Sequence, residues 1–204
     1  MSAPPVTVLQ AMPEEEAAIR AAVRNVDPAT LGPDRVLATA AHVDSLTALL
    51  ADPAVSDPIY DLPRPIGTAS VGAWVAEAER LRQAGEGVLI LSLDEAGEVA
   101  GYSMFSVWPH RSSAEIVGAM RRDRQSQGQG GAGAARSFGW MFEVLGVRLI
   151  GLTAALDNVR SAKVIEAAGF VSQGERDSVR PDGTVRRSRY WELGRAEWER
   201  LHRL

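Results

Sequence analysis

Residues 125–133 read Gln-Ser-Gln-Gly-Gln-Gly-Gly-Ala-Gly, and about thirty residues on, 158–170 read Asn-Val-Arg-Ser-Ala-Lys-Val-Ile-Glu-Ala-Ala-Gly-Phe. The first run follows an apolar segment at 114–120 and opens a stretch whose Ala134, Phe138, Met141, Phe142 and Leu145 recur at helical spacing. The order is strand, loop, helix. Glycines in such a loop let a ligand approach the main chain closely, and the free N–H groups and positive dipole end of the helix suit a pyrophosphate. An anion site is therefore the physical expectation.

Spacing separates three nucleotide loops that could be written this way. The G-x-x-x-x-G-K-[ST] loop is excluded, because the one lysine, Lys163, follows Ala162 and no glycine-lysine pair exists. Gly128-x-Gly130-x-x-Gly133 satisfies the dinucleotide fingerprint, and Asp157 stands near its ribose-binding offset. Against it, a polar stretch at 121–127 separates the strand from the first glycine, and the residues after Asp157 are too few for a second mononucleotide half. The third pattern, Q/R-x-x-G-x-G/A, fits in two registers, Gln125-x-x-Gly128-x-Gly130 and Gln127-x-x-Gly130-x-Ala132. The first gives the following helix the better length.

With this loop, the Asn158-x-x-Ser161 and Ala168-Gly169-Phe170 pair and the closing strand and helix around Trp191 to Trp198, the chain resembles the GNAT superfamily of N-acetyltransferases from about Arg35 onward. The resemblance is to its ribosomal-protein-alanine acetyltransferase (RimJ/RimL-like) branch. It implies an α+β fold, with a mixed, twisted sheet of six or seven strands and flanking helices. It implies acetyl-CoA as co-substrate, no metal, and transfer of the acetyl group to a primary amine by direct attack in a ternary complex, a protein or peptide N-terminus being favoured over a small amine. Carried over residue by residue, the CoA site comprises Met120, Arg121, Arg122, Gln125, Ser126, Gln127, Gly128, Gln129, Gly130, Gly131, Asn158 and Ser161. Glu115 is the expected base and Ser161 the expected partner of the departing sulfur, while Ile165 stands where many relatives carry a tyrosine acid. A Rossmann-type NAD or S-adenosylmethionine enzyme and a non-catalytic acyl-CoA-binding protein remain alternatives.

At 204 residues and 46% hydrophobic, the chain can bury a full core as one domain. The division expected is an extension at 1–34 and the acetyltransferase domain at 35–204. A net charge of −4 argues against a general nucleic-acid binder. The absence of cysteine excludes disulfides and thiol nucleophiles, and three scattered histidines match no metalloprotease motif. No secretory signal or membrane-length apolar run is present, so a cytoplasmic monomer or homodimer is expected. The periodicity predicts a helix at 13–25 after a possible strand at 6–9, a strand at 35–40, helices at 43–50 and 70–84, and a meander at 88–93, 98–107 and 114–120. Between the two helices the proline-rich stretch 51–66, carrying Asp52, Asp57 and Asp61, is the expected acidic wall of an amine channel.

Overall fold

The computed structural model describes residues 3–125, 129–179 and 183–202, and of residues 125 and 129–132 only the main chain. Its strands are β1 (Arg35–Leu37), β2 (Gly87–Leu93), β3 (Val99–Trp108), β4 (Ser113–Met120), β5 (Leu149–Ala155), β6 (Val171–Val179) and β7 (Val185–Gly194). They form one sheet in the order β1-β2-β3-β4-β5-β7-β6. Among the described strands only β4 and β5 run parallel. A doubly wound dinucleotide fold needs mostly parallel neighbours, so the Rossmann alternative fails on topology.

The helices are α1 (Pro13–Arg24), α2 (Val43–Leu50), α3 (Pro53–Ser56), α4 (Thr68–Ala84), α5 (Arg122–Gln125), α6 (Gln129–Glu143), α7 (Val159–Ala167) and α8 (Arg195–His202). α1 starts where the sequence signals it. Proline occupies the first turn with Glu14, Glu15 and Glu16, and Arg24 lies in the last, an arrangement that complements the helix dipole.

Side chains alternate across a strand, so β2 serves two cores at once. Val88 and Ile90 join Phe105, Ile150 and Trp191 beneath Ile19 and Val23 of α1, Phe138, Met141 and Phe142 of α6, and Ile165 of α7. Leu89 and Leu91 join Tyr102 and Met104 on the opposite face, under Leu46 and Leu50 of α2, Val55 of α3 and Val71 and Val75 of α4. Residues before Arg35 belong to the first core as well: Val26 and Leu31 are buried there, and Trp140 Nε1 donates to Thr30 Oγ1 at 2.8 Å.

The structure departs from the sequence-based expectation at 6–9, which forms no strand. Val6 and Val8 are 64% and 74% exposed, so their alternation points at solvent, and the segment is held through side chains of the sheet rather than by a ladder. β1 is also shorter than expected. It ends at Leu37 because the Thr39 main-chain N–H turns to His42 Nδ1 at 3.1 Å, closing a turn before α2.

Candidate active site

The parallel ladder between β4 and β5 pairs Ser113 with Leu149, Ala114 with Ile150 and Glu115 with Gly151, and there it stops. Both strands continue, β4 to Met120 and β5 to Ala155, so they diverge above Glu115. Among the described residues, 116–119 then pair with no neighbouring strand on that side. Exposed main-chain N–H and C=O groups along such an edge can pair with an amide-bearing chain laid between the strands, as in strand addition. α5 and α6 follow the end of β4, and α7 follows the end of β5.

Glu115 sits at the apex of this wedge. It is 3% exposed, shares its face with Val117 and Ala119, and its Oε1 accepts a hydrogen bond from Thr153 Oγ1 at 3.2 Å. A buried carboxylate is tolerated only with such donors. On the other arm, Asn158 Oδ1 accepts from the Ser161 main-chain N–H at 3.0 Å and caps α7. That bond leaves the Ser161 hydroxyl to other work, half-buried in the first helical turn. Ile165, one turn on, is 7% exposed and part of the first core. An aliphatic residue suits that position because it is buried in the same apolar cluster as Phe138 and Phe170.

The phosphate end is described in part. Met120 closes β4, Arg122 begins α5 and is exposed, Gln125 ends it, and Gln129, Gly130 and Gly131 form the first turn of α6. Ser126, Gln127 and Gly128 lie outside the described residues, as does the choice between the two loop registers. Arg121 is held at 2.8 Å by Asp94 and at 2.9 Å by Asp123. Those hydrogen bonds, Asp123 first and then Asp94, raise its pKa further and share its charge between two carboxylates.

A match to the family described as "Acetyltransferase (GNAT) domain" spans residues 35–171, about two thirds of the chain. The chain belongs to the GNAT acetyltransferase family. Solved structures agree at the level of fold. Ribosomal-protein-S5-alanine acetyltransferase from Vibrio fischeri is 15% identical with a TM-score of 0.68, the alignment covering 80% of this chain and 93% of that one. Mycobacterium smegmatis RimJ, in complex with CoA-disulfide, is 17% identical with a TM-score of 0.68 over 80% and 82% of the two chains. The acetyltransferase yncA from Salmonella typhimurium, with acetyl-CoA, is 19% identical with a TM-score of 0.59 over 78% and 92%. No curated protein sequence matches the chain. As a GNAT enzyme it uses acetyl-CoA.

The sheet face that carries Glu115 is covered by segments far apart in sequence. Within 51–66, Val55, Ile59 and Leu62 belong to the second core, and Tyr60 is buried as well. Arg186 of β7 ties this wall to the terminal hairpin, its guanidinium 4.8 Å from the Tyr60 ring centroid and its Nη1 2.7 Å from the Pro58 carbonyl. Two of the three aspartates are engaged locally. Asp52 caps α3 and Asp57 pairs with Arg64 at 3.8 Å. Asp61 acts inward, because burial and then the Asp61 charge push the Tyr102 phenol well above its ordinary pKa, with Arg64 opposing. Tyr102 belongs to this face (3% exposed), as do Thr153, Tyr190 and Glu192, none of which motif reading selects. They meet only through pairing across the sheet, Thr153 opposite Tyr190 and Gly151 opposite Glu192, which no local signal announces. Among the described residues no helix is long and apolar enough to cross a membrane, and no cluster of three potential metal ligands occurs.

Proposed function

We propose that this GNAT enzyme acetylates the α-amine of a peptide or protein N-terminus by direct attack in a ternary complex. The amine nitrogen forms its bond to the thioester carbonyl carbon as the carbon–sulfur bond breaks. Glu115, directly or through one water, takes the proton that the amine loses, and the Ser161 hydroxyl stabilises the departing sulfur. The observation that carries this reading is the buried Glu115 at the apex of the β4–β5 wedge, oriented by Thr153.

For the phosphates we assign the main-chain N–H groups around Gln125, Ser126, Gln127, Gly128, Gln129, Gly130 and Gly131, with Arg122 and the Met120 strand end beside them. A helix start supplies both free donors and the positive dipole end. Arg121, shared between Asp94 and Asp123, serves better as the anchor of that strand end. Asn158 positions Ser161. The catalytic machinery lies within 35–204, with α1 packed into the same core, and the enzyme acts in the cytoplasm as a monomer or homodimer without nucleic acid.

Mass analysis of acetyl-CoA reactions across peptides with varied first residues, polyamines and aminoglycosides tests the acceptor class. Preference for longer peptides with a defined first residue is expected. Acetylation of free small amines with no peptide product would overturn the peptide assignment.

A further inference from the structure

The segment ahead of α1 is fastened by its main chain to the face that carries Glu115. Arg111 Nη2 donates to the Pro5 carbonyl at 3.0 Å, the Val6 N–H donates to Tyr190 Oη at 3.0 Å, and the Thr7 N–H donates to Glu192 Oε1 at 2.9 Å. The Thr7 hydroxyl donates to Glu192 Oε2, and the Tyr190 hydroxyl donates to Glu192 Oε1. Tyr190 and Glu192 are 3% and 6% exposed, and the Arg176 guanidinium lies 4.4 Å from the Tyr190 ring centroid. Buried acceptors on the sheet thus read two successive amides of a chain that bends at Val6 and Thr7, while the Val6 side chain points away, 64% exposed.

This groove adjoins the proposed base. Gly151 is paired with Glu115 on one side and with Glu192 on the other. A Cβ added to Gly151 would lie 2.8 Å from Tyr190 Oη and 3.1 Å from Pro5 Cγ. Pro5 therefore stands over the residue next to Glu115, on the face where an amine would approach.

We infer that residues 5–7 fill, in cis, a groove that reads two successive main-chain amides of a peptide, and that this strap competes with a peptide acceptor. The inference rests on the peptide reading above. Of the three strap residues only Pro5 is buried, and a segment with so few apolar contacts opens at low free energy. Its release takes from Glu192 the two donors of Thr7 and from the Tyr190 oxygen the Val6 amide, leaving Glu192 only its bond from Tyr190, which favours replacement by another peptide main chain.

The test uses full-length protein and a fluorescently labelled peptide of residues 3–10 (Ala-Pro-Pro-Val-Thr-Val-Leu-Gln). Thr7→Pro removes both donors that Glu192 receives from the strap. By anisotropy, the variant should bind the peptide at least tenfold more tightly than wild type. Adding Tyr190→Phe should weaken that binding at least fivefold. Equal binding by wild type and Thr7→Pro, or no effect of Tyr190→Phe, overturns the inference and makes the strap a fixed wall. If Thr7→Pro does not fold, Val6→Pro, which removes the amide received by Tyr190, carries the same expectation. Calorimetry with CoA on the same samples separates this outcome from failure of the acetyltransferase site, since the strap hydrogen-bonds to none of the described residues assigned to CoA.

Discussion

Two residues carry the chemistry proposed for the wedge, and each has a measurable signature. With Glu115→Gln the amine must lose its proton to bulk base, so kcat/KM should fall and then climb with pH through the range where wild type is flat. A pH–rate profile superimposable on wild type would place the base elsewhere. Ser161→Ala should lower kcat by about ten- to a thousand-fold with little change in CoA affinity, because the hydroxyl acts on the sulfur only as it departs. Steady-state kinetics together with calorimetry makes that separation. Asn158 has a structural signature instead: its side chain caps α7, and Asn158→Ala should cost about 1 kcal/mol in denaturant unfolding. Residue types and spacing made Asn158 and Ser161 legible. Thr153, Tyr190 and Glu192 were not, because their partners are brought to them by pairing across the sheet.

Among the elements, α1 is the one whose place the sequence left open. Its Ile19 and Val23 are 2% and 0% exposed in the core shared with α6 and the sheet, and Arg20 Nη1 reaches Glu86 at 2.9 Å beyond the end of α4. Ile19→Ala should therefore destabilise the whole chain by about 2–5 kcal/mol in one cooperative transition. A separate early transition, with the main one unmoved, would show α1 to be an appendage. The turn after α7 makes a sharper demand. Gly169 has φ +90°, and a Cβ there would lie 2.3 Å from Leu201 Cδ1 of α8. Leu201 is 45% exposed and its methyl can turn aside, so Gly169→Ala acts chiefly through backbone strain and should lower Tm by several degrees. The glycine of the Ala168-Gly169-Phe170 motif thus has a backbone reason, its left-handed φ.

For the molecule as a whole, acid stability follows from carboxylates tied to arginines. The Arg82 guanidinium, aided by Gln83, lowers the Glu79 pKa from 4.5 to about 2. A carboxylate whose pKa is depressed on folding contributes stability that is present above its unfolded value and lost as pH falls. For Glu79 the loss runs from pH 4.5 to about 2. Its side chain is 48% exposed, so solvent screening limits the contribution to at most about 1 kcal/mol. Glu79→Gln should flatten the fall of Tm between these pH values, and an unchanged slope would assign the acid sensitivity to other carboxylates.

What the sequence determined by itself was local and periodic. The glycine loop after an apolar strand, the Asn158 cap with Ser161, the apolar meander and the prolines that open helices each depend on residues a few positions apart, where propensity and capping act. These sufficed for the α+β class, the family and most element boundaries. The tertiary structure decided what depends on distant segments meeting. It ended the parallel ladder at Glu115, buried α1 in the main core, turned the 51–66 wall toward Arg186 and laid residues 5–7 across Tyr190 and Glu192. Those contacts join groups up to 185 positions apart. Sheet register and the burial of polar side chains fix them, and neither leaves a periodic trace in the sequence.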